Sequence, residues 1–101
     1  MHVKLAVIGT GYVGLVSGAC FSEFGFDVTC IDKDAGKIDS IRSSVMPIYE
    51  PGLEDLVARN VTAGRLRFTT ELEPAVASAD AAFIAVGTPT RRGDGHADLT
   101  Y

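Results

Sequence analysis

Three glycines and one carboxylate carry the chemistry written into this 101-residue chain. Gly9, Gly11 and Gly14 form a G-x-G-x-x-G turn directly after the apolar run Val3-Lys4-Leu5-Ala6-Val7-Ile8, and Asp32 stands 18 positions beyond Gly14. A strand that breaks into glycines and restarts as a helix presents backbone N–H groups and the positive end of the helix dipole to an anion. Gly9 allows the tight turn out of the strand, Gly11 lets the backbone approach a pyrophosphate, and Gly14 lets the helix lie near the sheet. An acid at the tip of the next strand accepts hydrogen bonds from the adenosine ribose hydroxyls and repels a 2′-phosphate. The residues therefore spell a dinucleotide site that takes NAD rather than NADP, a preference that neighbouring Lys33 weakens slightly. The plainer alternatives are a glycine turn made for packing alone and an aspartate that merely caps a helix.

The elements that must position these groups follow in order. The first strand ends at Gly9, and a helix is expected from Tyr12 to Phe24, with Gly25 in the left-handed position after it. Gly14 and Gly18 share one face of that helix, with Val13, Val16, Cys20 and Phe24 expected to fill the space around them. Asp27-Val28-Thr29-Cys30-Ile31-Asp32 is the second strand. A helix from Asp34 to about Ser43 buries Ile38 and Ile41 and points Lys37 toward the adenosine edge, although position alone favours an exposed helix lysine. Met46 to Leu53 is irregular because Pro47 and Pro51 lack N–H donors. Pro51 suits the first turn of the next helix, whose buried stripe is Leu53, Leu56, Val57 and Val61, and Ala63-Gly64 stops it.

Leu66-Arg67-Phe68-Thr69 alternates as a short strand, and Thr70-x-x-Glu73 has the form of a capping box opening a helix to about Ser78. Ala81 to Val86 is apolar throughout and reads as a strand buried on both faces. At its tip Thr88 offers a hydroxyl to a cofactor, or is simply a turn threonine. Strands alternating with helices give an α/β class fold: a Rossmann-type, doubly wound parallel sheet, here partial with about four strands in the order 3-2-1-4. Ala97-Asp98-Leu99-Thr100-Tyr101 resembles a helix start, so residues 1–101 read as a truncated piece of a longer chain.

Composition narrows the function. A net charge of −4 and the lack of any basic cluster beyond Arg91-Arg92 argue against nucleic acid as a partner. No apolar stretch reaches the ~20 residues of a membrane span, nor is there a signal peptide, so the cytoplasm is the expected location. Cys20 and Cys30 are ten apart, one on a helix and one in a strand, which gives neither a metal pair nor a redox motif. Both are expected in the core.

Four segments taken together, Gly9-Thr10-Gly11-Tyr12-Val13-Gly14-Leu15, Pro47-Ile48-Tyr49-Glu50-Pro51-Gly52-Leu53, Gly64-Arg65-Leu66-Arg67-Phe68-Thr69-Thr70 and Val86-Gly87-Thr88-Pro89, closely resemble the UDP-glucose/GDP-mannose dehydrogenase family, its bacterial UDP-glucose-oxidising members above all. The resemblance covers essentially all 101 residues. It implies NAD contacts at Gly9, Thr10, Gly11, Tyr12, Val13 and Gly14, at Asp32 and Lys37 near the ribose, and at Thr88 near the nicotinamide end. Tyr12 and the Tyr49-Glu50 loop are expected between cofactor and substrate. It further implies oxidation of the sugar-nucleotide 6-hydroxymethyl to a carboxylate in two NAD-linked steps through a catalytic cysteine, and a homo-oligomeric parent enzyme. UDP-glucose is the expected substrate, with GDP-mannose or a UDP-N-acetyl sugar as alternatives.

The family's catalytic cysteine, its lysine and asparagine partners and its sugar-nucleotide domain fall beyond residue 101. Cys20 and Cys30 match none of these positions, and neither His2 nor His96 is placed to act as a base. No catalytic and no metal residue is therefore expected in this chain, which by itself supplies the cofactor cradle. A free-standing nucleotide-binding module is the alternative from another class.

Overall fold

In the computed structural model, which describes residues 3–43 and 51–85, four strands align in parallel in the order β3-β2-β1-β4. The chain runs β1 (Lys4–Ile8), α1 (Tyr12–Glu23), β2 (Asp27–Ile31), α2 (Ala35–Arg42), α3 (Leu53–Thr62), β3 (Leu66–Thr69), α4 (Leu72–Ala77) and β4 (Ala81–Ile84). The expected order 3-2-1-4 is the observed one. Leu5 pairs with Val28 and Val7 with Cys30 across β1 and β2, and Val28 and Cys30 pair with Leu66 and Phe68 of β3. Because strand side chains alternate, these six residues share one face. Helices α1 and α3 cover it, with α2 against β3, and Leu15, Ala19, Ile38, Ile41, Leu53 and Val57 complete the core. On the opposite face α4 lies against β1 and β2.

The strand crossing reverses at β1. From it the chain first winds outward through β2 and β3, then returns across the other face to β4. That reversal opens a crevice at the carboxyl ends of β1 and β4, the position where doubly wound sheets bind ligands.

Several local expectations are corrected. In α1 the buried residues are Gly14, Leu15, Gly18, Ala19 and Ser22, whereas Val13 is 65% and Phe24 80% exposed and Val16 and Cys20 are half-buried. The glycines explain the change, because the helix backbone itself meets the sheet. A Cβ on Gly18 would stand 2.5 Å from Cys30 Sγ, so the residues flanking the two glycines point inward. Helix α1 ends at Glu23 with Phe24 as its cap, and Gly25 follows at φ +104°.

Pro51 precedes α3 rather than opening it, since Gly52 in the left-handed conformation sets the helix start. On α3, Asn60 is buried and Val61 exposed, the reverse of the expected stripe. Asn60 takes the inner position because it is hydrogen-bonded: its Nδ2 donates to Leu56 O and Glu23 Oε1, and its Oδ1 accepts from Arg65. The capping box does not form. Glu71 caps α4 without a side-chain bond, and Thr69 Oγ1 instead accepts from Glu71 N–H.

Strand β4 is exposed along its length, with Ile84 at 76%. Among the described residues it pairs with β1 alone, and Phe83 packs on Phe21 of α1 at 5.3 Å between ring centroids. Met46 to Glu50 of the irregular segment, Thr88 and the stretch from Arg91 onward lie outside the described residues.

Candidate dinucleotide-binding site

The site begins where β1 turns into α1. Gly9 has φ +108°, a conformation that only glycine adopts without strain, and its N–H donates to Ile31 O at 2.7 Å, which ties the turn to the end of β2. Gly14 is equally specific for a different reason: a Cβ there would lie 1.9 Å from Gly9 O. Gly11 differs from both. Its φ of −71° suits any residue, and among the described residues nothing lies within 4 Å of where its Cβ would point. The absent side chain thus leaves open space in front of the start of α1, where no side chain caps the helix and no acid occupies the first turn. Among the described residues an anion meets there backbone N–H groups and the positive dipole end.

Asp32, immediately after β2, is the second element. Its N–H donates to Thr69 O, so the β2 tip is held by β3 as well. The carboxylate is 6% exposed at the residue level and well supplied with donors. Thr10 N–H reaches Oδ2 at 3.0 Å, Thr10 Oγ1 donates to Oδ2 at 2.7 Å, and Asp34 N–H donates to Oδ1 at 3.0 Å. Lys37 Nζ stands 3.7 Å from Oδ2, half-buried on α2. Burial is the largest single influence on the acid and pushes its pKa up. The Asp34 N–H, the Thr10 hydroxyl, the Thr10 N–H and the Lys37 charge together outweigh it, so Asp32 sits below the ordinary aspartate value and remains ionised.

Helix α2 is set by the same stretch. Asp34 caps it, its Oδ1 accepting from Lys37 N–H, and this cap brings the Lys37 side chain over Asp32. Tyr12 and Val13 are exposed at the start of α1, beside the open space at Gly11. Ala85, one residue past β4, donates to Ile8 O at 2.8 Å and so brings the β4 tip beside the turn. Gly9 to Gly14, Asp32 and Lys37 are therefore assembled at one end of the sheet.

Sequence reasoning missed the Asp34 N–H contact and the inward aim of both Thr10 donors. The Asp32-x-Asp34 spacing, which lets a carboxylate accept from the N–H two residues on, was the available signal for the first. A hydroxyl residue between two turn glycines was the signal for the second.

The family profile described as UDP-glucose/GDP-mannose dehydrogenase family, NAD binding domain, matches residues 3–101. The chain belongs to this family. It is 63% identical over 99 residues to a UDP-glucose 6-dehydrogenase of Rhizobium meliloti, covering 98% of this chain and 23% of that protein. Among solved structures, a UDP-glucose dehydrogenase from Pyrobaculum islandicum superposes with a TM-score of 0.90 at 43% identity, over 98% of this chain and 23% of the other. A GDP-mannose dehydrogenase from Pseudomonas aeruginosa, solved as a ternary complex, gives 0.87 at 42% identity, over 94% and 22%. The chain thus spans less than a quarter of the length of these relatives.

NAD is the cofactor of this family domain, and the residues present fit it. An uncapped helix start with open space at Gly11 suits the pyrophosphate, and an ionised acceptor at Asp32 suits a ribose diol. When bound, NAD supplies the hydride acceptor. The described residues hold no cluster of metal-ligating side chains and no helix long and apolar enough to cross a membrane.

Proposed function

We propose that the chain is the cofactor-holding part of an NAD-dependent dehydrogenase that oxidises the 6-hydroxymethyl of UDP-glucose to the carboxylate of UDP-glucuronate. The observation that carries the cofactor half is the ionised, nearly buried Asp32 beside an uncapped, glycine-opened helix start. The chain's own residues bind and orient. The turn takes the pyrophosphate on the backbone donors from Gly11 onward, the Gly9 and Thr10 N–H groups being bonded to Ile31 O and Asp32 Oδ2, while Asp32 accepts from the ribose and Lys37 holds the charge balance at that edge. Thr88, which follows β4 in the sequence, is assigned to the nicotinamide end. Tyr12 and Val13 line the open side of the turn. The substrate half rests on the 63% identity to a protein named for UDP-glucose, against 42% to one named for GDP-mannose. The cysteine that the resemblance implies as the nucleophile holding the substrate carbon, with NAD taking the hydride, belongs to the part of the parent beyond this chain, and that parent acts in the cytoplasm as a homo-oligomer.

Two measurements test the two halves. The adenylate part of NAD has about 23 non-hydrogen atoms, and at roughly −0.3 kcal/mol each its contacts give about −7 kcal/mol, or ~10 μM. Calorimetric titration should show NAD and AMP binding no tighter than this, with NADP weaker. Asp32→Ala should weaken NAD and narrow the gap to NADP, because Lys33 and Lys37 then face a 2′-phosphate without the opposing carboxylate. An unchanged gap would remove Asp32 from the ribose site. For the substrate, the full-length protein should form two NADH per UDP-glucose and none with GDP-mannose; the opposite selectivity would reassign it.

A further inference from the structure

One side chain joins the phosphate turn to the ribose acid: Thr10 Oγ1 donates to Asp32 Oδ2. We propose that Thr10 is a positioning residue: its hydroxyl fixes the Asp32 carboxylate in the orientation that receives the ribose, and so sets the preference for NAD over NADP. The proposal rests on the NAD reading above and gives Thr10, expected from the resemblance as an NAD contact, a role through its buried side chain on Asp32.

Thr10 has 0% exposure, so its side chain has no surface to offer a ligand. Both of its donors converge on the same oxygen, Oδ2 of Asp32, at 3.0 Å from the N–H and 2.7 Å from the hydroxyl. Asp34 N–H holds Oδ1 at 3.0 Å. A carboxylate with donors on both oxygens cannot turn about its terminal torsion, which is otherwise broad and loosely held. An ionised carboxylate has about four acceptor sites, so these three donors leave capacity for a ribose hydroxyl. The backbone donors at Thr10 and Asp34 would persist with any side chain at position 10. Only the hydroxyl depends on the residue being threonine or serine.

The geometry also explains why this hydroxyl sits between two glycines. Gly9 at φ +108° turns the chain so that residue 10 faces β2, and the Gly9 N–H bond to Ile31 O at 2.7 Å fixes the distance. Glycines on either side would let this turn flex, and the Thr10 hydroxyl closes it onto β2 from the side-chain direction. A charge-assisted bond of this kind is strong enough to matter to the acid's orientation.

The test compares Thr10→Val, which keeps the shape and loses the donor, with Thr10→Ser, which keeps the donor. NAD and NADP affinities are measured by calorimetry between about pH 3 and 8, a window that extends below the ordinary aspartate value of about 3.9 and so reaches the range where Asp32 gains its proton. Circular dichroism melting checks that each variant is folded. Thr10→Val should lose about tenfold in NAD affinity, the scale of one hydrogen bond to a charged group, with a similar fall in the NAD-to-NADP ratio. Its NAD affinity should also begin to drop at a higher pH than in the wild type, because Asp32 has lost a donor that favours its charged form. Thr10→Ser should restore both. If Thr10→Val does not fold, Thr10→Ala, which cannot crowd the turn, makes the same comparison.

A folded Thr10→Val protein whose NAD-to-NADP ratio and pH profile match the wild type overturns the proposal and leaves Thr10 a packing residue. Failure of the NAD reading is separable from this, because it shows as absent NAD binding in the wild type. In that case a carboxylate NMR titration of Asp32 still decides the anchor: a midpoint raised in Thr10→Val and restored in Thr10→Ser supports it, and an unmoved midpoint removes it.

Discussion

Gly11 and Gly14 belong to one motif but do opposite work, and alanine at each position should separate packing from binding. At Gly14 the new Cβ would stand 1.9 Å from Gly9 O and 2.8 Å from Gly9 C. Non-bonded heavy atoms sit comfortably at about 3.5 Å, so one side must retreat by more than an ångström. The obstacle is backbone, held by its bond to Ile31 O and already at positive φ, so no side-chain rotation relieves the clash. Overpacking a tight site costs about 1–3 kcal/mol, and a backbone obstacle puts Gly14→Ala at the upper end, ~3 kcal/mol. At roughly 4–8 °C per kcal/mol for a domain of this size, melting should fall by ~12–24 °C. At Gly11 the Cβ meets nothing within 4 Å among the described residues, and φ is ordinary. The loss of a good N-cap residue is offset by reduced freedom of the unfolded chain, so stability should change by less than about 1 kcal/mol. The Cβ does project into the open space before α1, where NAD affinity should fall at least about tenfold, or 1.4 kcal/mol. Thermal melting by circular dichroism with calorimetric NAD titration reads both variants. A Gly14→Ala protein melting within a few degrees of wild type, or a Gly11→Ala protein binding NAD at full affinity, would refute this division of roles.

Two further predictions concern the titrating groups. Asp32 is held below the ordinary aspartate value, so the stability it contributes is present above about pH 4 and is lost as pH falls through its folded value. The stability gap between wild type and Asp32→Asn, from urea unfolding, should therefore be wide at pH 7 and narrow at pH 3; a gap independent of pH would contradict the hydrogen-bond pattern at this acid. Burial pushes the Cys30 thiol up to about 12, against an ordinary 9.0. Its contribution is thus intact below pH 9 and lost as pH rises through about 12. A thiol reagent at pH 8 should label Cys30 only at the rate of unfolding, whereas the half-buried Cys20 reacts in the folded state; equal rates would show that the β1–β2 core opens far more readily than its packing implies.

Strand order and the glycine turn were legible in the sequence because each rests on a local signal: apolar runs of four or five residues, glycines at fixed spacing, and an acid at the next strand's tip. The inward face of α1 was not legible. Val13, Val16, Cys20 and Phe24 recur at helical spacing as regularly as Leu15, Ala19 and Ser22, in a helix apolar on most sides. What decides between them is the approach of the backbone at Gly14 and Gly18, where a Cβ would strike Gly9 O or Cys30 Sγ, and this is a property of the packed pair rather than of the helix. Asn60 was hidden for a similar reason. Its burial follows from partners 37 and 5 residues away, Glu23 and Arg65, that no periodicity on α3 reveals. Strand β4 was read from composition as enclosed, but enclosure depends on neighbours beyond β1, its one partner among the described residues.

The same distinction governs the site. Asp32 could be placed from spacing, yet spacing does not say whether the acid is ionised in a nearly buried position. That depends on donors from three places: the Thr10 hydroxyl and N–H on the β1 turn, the Asp34 N–H just past β2, and Lys37 on α2. Two of the three hydrogen bonds come from backbone, whose direction is set by the Gly9 turn and by the Asp34 cap. A sequence shows that those groups exist but not where they aim. Threonine at position 10 is the exception, because its hydroxyl is a side-chain choice and its removal leaves the backbone donors in place. It is therefore the residue at which a single substitution can separate the orientation of the ribose acid from the fold that carries it.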